Sequence, residues 1–189
     1  MLEITIDFTY IAAQFVGFVA MACGIISFQS RERAKILTFQ TLSNFLWVIS
    51  YLILWEPAAV VANSIGTLRN VLYMFRGKYK FADSKAIPMA FIVIFIISGV
   101  LTYQTPFDLL PMFAMVISTI AFFVKRENTI RWLSLLVAIS WFTFGASAGN
   151  IASIVSDGTN FLSIVIALIR YRGVYLYENS KKNNEIDND

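Results

Sequence analysis

The chain has 189 residues, 58% of them hydrophobic, with a mean hydropathy of +0.67 and a formal net charge of +3. Soluble domains are about 45–50% apolar, so this composition excludes an ordinary soluble domain and points to an all-α integral membrane protein. With no histidine and one cysteine, Cys23, it also excludes an intrachain disulfide and a Cys/His-rich metal site, and it lacks the commonest general acid–base side chain.

Seven segments have the length of a membrane-crossing helix: 8–28, 35–54, 57–75, 86–103, 107–124, 130–147 and 149–169. They leave room for one transmembrane domain over 1–176 and a short polar end, YENSKKNNEIDND at 177–189, that reads as a disordered cytoplasmic tail. The acidic start MLEITIDF lacks the positive region of a signal peptide, so the first segment is expected to be a retained span. Cys23, between Ala22 and Gly24, reads as a small buried residue. In segment 2, Asn44 and Trp47 share a face, and Trp55 just beyond it reads as an interface anchor.

Segment 3 holds a charge, Arg69, which at mid-span costs about 2.5–3.5 kcal/mol and needs a partner, a cavity or a route to the headgroups. At 100° per residue Asn63, Gly66, Thr67 and Asn70 form one stripe, with Arg69 on its shoulder beside Tyr73. Segment 4 is the blandest and is expected to be a lipid-facing connector. Pro111, early in segment 5, is a candidate kink. Segment 7 gathers Gly149, Ser153, Ser156, Asp157, Asn160 and Ser163 mostly on one side, and Gly158 is a candidate point of local loosening.

The basic residues set the orientation. Apart from Arg69 they fall in four groups: Arg31, Arg33, Lys35; Arg76, Lys78, Lys80, Lys85; Lys125, Arg126, Arg131; and Arg170, Arg172, Lys181, Lys182. With seven spans all four lie on one side, facing Glu3, Asp7, Glu56 and Asp108 on the other. The positive-inside rule then puts the N-terminus outside and the C-terminus in the cytoplasm. Orientation accounts for the basic pI, and no nucleic-acid partner is expected.

An internal repeat organises the spans. CGIISFQSRE at 23–32 aligns with STIAFFVKRE at 118–127, pairing Arg31 with Arg126. An offset of 94 then runs on without gaps, pairing Trp47 with Trp141, Ala58 with Ala152, Asn63 with Asp157, Leu68 with Leu162 and Arg76 with Arg170. The predicted arrangement is three plus one plus three: two parallel triple-helix repeats, about 8–76 and 107–170, joined by the connector at 86–103. Such repeats place a site between the halves, near the midplane. Arg69 lies nearer the cytoplasmic face than Asp157 by about 9 Å of helix rise. Two readings of these charges stand open: a shared cavity, or snorkelling of Arg69 and local bonding of Asp157.

The three-plus-one-plus-three plan resembles the SWEET and PQ-loop transporter fold. Leu110–Pro111 with Ser118–Thr119, the Trp141 span, Asp157–Gly158 and the Asn63…Thr67–Leu68 run resemble the YgjV-type bacterial inner-membrane proteins over about residues 14–172. The YgjV resemblance implies an inner-membrane location. The fold resemblance implies a small-solute carrier working by alternating access, with Asn63 touching solute in one half and Asp157 and Asn160 in the other. No proline precedes a glutamine and the first span has no proline, departures that argue against a sugar and against symmetric hinging.

The sequence thus predicts a non-enzymatic transporter or facilitator for a small polar solute, with no cofactor and no metal. Its candidate site comprises Asn44, Trp47, Asn63, Thr67, Arg69, Asn70, Trp141, Asp157 and Asn160, and its partners are the lipid bilayer and the solute. A homo-oligomer is compatible with the sequence. The alternative is a membrane scaffold or partner subunit whose buried charges serve packing.

Overall fold

The long apolar runs become helices because nothing inside them breaks the backbone ladder, and turn chemistry sets several of their ends. In the computed structural model, which describes residues 8–29, 33–75, 78–121, 127–166 and 169, the helices are α1 Phe8–Gln29, α2 Arg33–Ile53, α3 Pro57–Met74, α4 Ala86–Leu101, α5 Leu109–Ala121, α6 Glu127–Ser147 and α7 Ile151–Ile166. They match the seven predicted segments to within a few residues at most ends, and the described residues contain no strand. The tail at 177–189, the acidic Glu3 and Asp7, and Arg31, Arg76, Lys125, Arg126, Arg170, Arg172, Lys181 and Lys182 lie outside the described residues, as do the side chains of Arg33 and Arg131.

Two turns close in the same way. At the end of α6, Gly149 has φ 65°, Asn150 N–H donates to the Gly145 carbonyl (2.9 Å) and Gly149 N–H to that of Ala146 (3.4 Å). This is the Schellman closure, in which a left-handed residue lets two N–H groups reach back to the last carbonyls. At the end of α2, Trp55 has φ 58°, Glu56 N–H donates to Tyr51 (3.0 Å) and Trp55 N–H to Leu52 (3.2 Å). Trp55 and Glu56 stand 94 residues before Gly149 and Asn150, the offset of the sequence repeat. Glycine takes a positive φ freely, whereas a tryptophan there is strained.

Pro57 starts α3 at a position where its missing N–H costs nothing. Pro111 likewise falls in the first turn of α5, so it begins a helix instead of kinking one, a correction to the sequence reading. α7 runs unbroken through Gly158, so the local loosening expected there is not seen.

α1 packs along α2 and α2 along α3; α3 meets α4 and α5; α5 packs along α4 and α6. Close approaches tie α7 into the bundle. A Cβ added to Gly17 of α1 would lie 2.7 Å from Ala152 Cβ, and one on Gly145 of α6 would lie 2.7 Å from Ser153 Oγ. One core joins Ala62, Phe91, Phe95, Met112 and Met115 from α3, α4 and α5; a second joins Tyr51, Ala59 and Phe144.

The distribution of side chains is that of a protein in lipid. Large apolar groups such as Phe15, Leu52, Leu68, Val100 and Ile166 stand exposed, while Ser27, Ser50, Ser98, Thr119, Ser140, Asn150 and Ser153 are buried. A protein folding in water avoids large exposed apolar patches, whereas helices in lipid associate through small residues and interhelical hydrogen bonds. Among the described helices α1 meets the length and apolarity of a span over Phe8–Ser27, and the other apolar stretches are shorter. The 16-residue stretch Ala86–Leu101 is one of these; at 1.5 Å per residue it covers about 24 Å.

The connector α4 is less bland than its composition predicts. One side exposes Val93, Ile97, Val100 and Leu101, but Phe91 and Phe95 are buried, Phe95 completely.

Candidate functional site: two polar centres between the helices

The first centre forms around Arg69, which is 4% exposed. Its Nη1 donates to Thr119 Oγ1 (2.7 Å), Ser118 Oγ (2.8 Å) and the Met115 carbonyl (3.4 Å), all on α5, and Nη2 donates to the neighbouring Asn70 Oδ1 (3.4 Å). Cζ lies 5.9 Å from the centre of the Phe95 ring of α4, within cation–π range. The two α5 hydroxyls also donate to the Met115 carbonyl, at 2.9 Å from Ser118 and 2.7 Å from Thr119. That carbonyl orients their lone pairs towards the guanidinium. The hydrogen bonds to Arg69 are charge-assisted and roughly twice as strong as neutral ones.

The second centre lies where α7 begins. Asn150 caps its own helix, its Oδ1 accepting the Ser153 N–H (3.1 Å), and Gln14 Oε1 of α1 accepts the Ala152 N–H (2.8 Å). Two first-turn N–H groups are thus satisfied, one of them by a helix 138 residues earlier in the chain. Tyr10 OH donates to the Gly149 carbonyl (2.9 Å), Asn150 Nδ2 to Ser50 Oγ (3.4 Å), and Ser50 Oγ to the Ala13 carbonyl (2.9 Å). One turn further along, Tyr51 OH of α2 donates to Ser153 Oγ (2.8 Å), which donates to Asp157 Oδ2 (3.1 Å); Asn160 bonds the same carboxylate.

Beside this centre Trp47 and Trp141, paired at the 94-residue offset of the sequence, both pack on Tyr51, with ring centroids 5.7 and 6.2 Å from its own. Phe144 completes the cluster at 5.7 Å from Tyr51. The two indoles therefore pack on the same tyrosine.

The structure gathers the sequence-derived residues unevenly. Arg69 and Asn70 share the first centre, and Asp157 and Asn160 the second. Asn63 Nδ2 donates back to the Ala59 carbonyl (2.9 Å) and Thr67 Oγ1 to that of Asn63 (2.8 Å), so both bond within α3. Asn44 lies against Gly66, its Nδ2 3.2 Å from where a Cβ would stand. Arg69 and Asp157 do not bond each other: the guanidinium turns to α5 and the carboxylate to Ser153. Sequence reasoning overlooked Phe95, Tyr51, Gln14 and Asn150 as functional groups. Gln14, an amide inside an apolar span, was the visible clue.

Inward-facing hydroxyls and amides beneath an apolar exterior define an α-helical membrane protein. Residues 11–174 match the model of the Imp-YgjV family, bacterial inner membrane proteins, and the chain belongs to that family. No curated protein and no solved structure matches it.

Proposed function

We propose that the protein carries a small polar solute across the bacterial inner membrane by alternating access between two parallel helix triplets, α1–α3 and α5–α7, with α4 as connector. The fold is then related in plan to the SWEET and PQ-loop transporters. The observation that carries this reading is that the seam between the triplets is crossed by exchangeable polar contacts. These are Arg69 to Ser118 and Thr119 on one side, and Gln14, Ser50 and Tyr51 to the start of α7 on the other. The matching turns at Trp55 and Gly149 support the repeat, as does the pairing of α3 with α5 and α7 with α1. Arg69 meets an anionic or hydrogen-bond-accepting group of the solute, Asp157, Asn70 and Asn160 orient it, and Asn44, Asn63, Thr67, Trp47 and Trp141 shape the path. The protein is not an enzyme in this reading. It has seven spans, with its N-terminus outside, the end bearing Glu56 and Asp108 facing out and the end bearing Lys78, Lys80 and Lys85 facing the cytoplasm.

Uptake into proteoliposomes across a metabolite panel tests the proposal. The native protein should accumulate a solute, and Arg69→Leu with Asp157→Leu should fold and lose that uptake. One observation favours a second reading, a membrane scaffold: Asn63 and Thr67 bond to their own helix. A native protein inert across the panel, with the double variant equally stable, would establish it. Labelling of cysteines placed at Trp55 and Lys80 from either side of the membrane checks the orientation.

A further inference from the structure

The bonds at Asp157 form a directed chain. Tyr51 OH on α2 donates to Ser153 Oγ on α7, which donates to Asp157 Oδ2, so both hydrogens point towards the carboxylate and the chain crosses from one triplet to the other. Around it the elements present few titratable groups. α2 offers the titratable Tyr51, with Glu56 acting on that tyrosine from the turn; α7 offers the neutral Ser153 and Asn160, and α6 brings the apolar Phe142 against Gly158. On α1, Tyr10 and Gln14 bond nearer the start of α7, at Gly149 and Ala152. Among the described residues no lysine or arginine pairs with Asp157, and Arg69 bonds to α5.

We propose that Asp157 binds a proton in each transport cycle, and that its ionised form draws α7 onto α2 through Ser153 and Tyr51. This rests on the carrier reading above and names the proton as its coupling ion. Both charge states fit the same place. The carboxylate accepts from Ser153 and Asn160; the neutral acid donates its O–H to Ser153 Oγ, whose own hydrogen must then turn away. A hydroxyl that donates to an ionised carboxylate is polarised and in turn accepts more strongly, so proton uptake, which ends that donation, weakens the Tyr51–Ser153 link and frees the seam at that end. Proton release restores it.

The test uses the full-length protein in lipid nanodiscs, followed by infrared absorption of protonated carboxyl groups and by tryptophan fluorescence as pH is varied. Trp47 and Trp141 pack on Tyr51 and so report on the link. In the native protein a carboxyl band should titrate and the fluorescence should follow the same curve. Asp157→Asn should remove that band and flatten the fluorescence, while Asp157→Glu should keep a titrating band. In Ser153→Ala the band should still titrate while the fluorescence no longer follows. Circular dichroism verifies that each variant is folded. Superimposable titrations of native protein and Asp157→Asn would overturn the proposal. These spectra need no solute, so an absence of uptake would count against the carrier reading without altering them.

Discussion

The third and seventh helices, which the sequence aligns at an offset of 94 residues, hold their polar groups in different ways. α3 is locked at its buried arginine, by a carbonyl and two hydroxyls of α5 and the face of Phe95. α7 is locked at its first turn and one turn beyond, by amides and hydroxyls arriving from α1 and α2. The packing differs too. Gly17 faces the rigid Ala152 at the α1–α7 contact, whereas Gly66 of α3 faces the flexible end of Met115. α3 is thus held to its neighbours by a single charge and α7 by several neutral bonds.

The largest expected effect breaks the first seam. Ser118→Ala with Thr119→Val removes two acceptors from a buried cation and should lower stability by about 3 kcal/mol, read by chemical denaturation in detergent micelles. Next comes the contrast in packing. Gly17→Ala places a methyl group 2.7 Å from Ala152 Cβ, with neither side able to yield by rotation, and should cost about 2 kcal/mol. Gly66→Ala meets Met115 Cε at 3.0 Å, which can swing aside, and should cost less than about 1 kcal/mol. Equal losses at the two glycines would erase the contrast.

A smaller effect, of opposite sign, sharpens the comparison between the turns. Trp55 is 86% exposed and strained at φ 58°, so Trp55→Gly should raise stability by about 1 kcal/mol in the same assay. The equivalent change at the second turn, Gly149→Trp, should lower it.

The smallest concerns Glu56, whose carboxyl is held above the ordinary carboxylate range by burial and then by Asp108. A raised folded-state value means that protonation favours the folded form. Its contribution is full below the ordinary carboxylate range and lost as pH climbs through the raised value. Glu56→Gln should therefore gain less than about 0.5 kcal/mol near neutral pH and remove that part of the pH dependence, read from melting curves at several pH values.

Much of this was legible in the sequence for a simple reason. A charge or an apolar run of about 20 residues is a one-dimensional fact, so the seven helices, Arg69 and Asp157 could be placed from spacing alone. Partners are three-dimensional facts. Ser118 and Thr119 are short hydroxyls of a kind found in many helices, and periodicity does not say which helix they face. Gln14 was visible as a lone amide, but the N–H it satisfies lies on α7. Gly149, counted as the start of segment 7, instead takes the left-handed conformation in the turn before it, and no propensity assigns that conformation to Trp55 either. The connector misled because Phe95 is apolar: hydropathy records a lipid-like residue, while its ring lies close to a guanidinium.

The cap that Gln14 places on α7 also bears on how the protein is made. Gln14 and Ala152 stand 138 residues apart, so the cap forms only after all the chain between α1 and the start of α7 has been made. A chain cut short before Asn150 lacks that bond, so α1 is joined to its distant partner only in a chain that extends into α7.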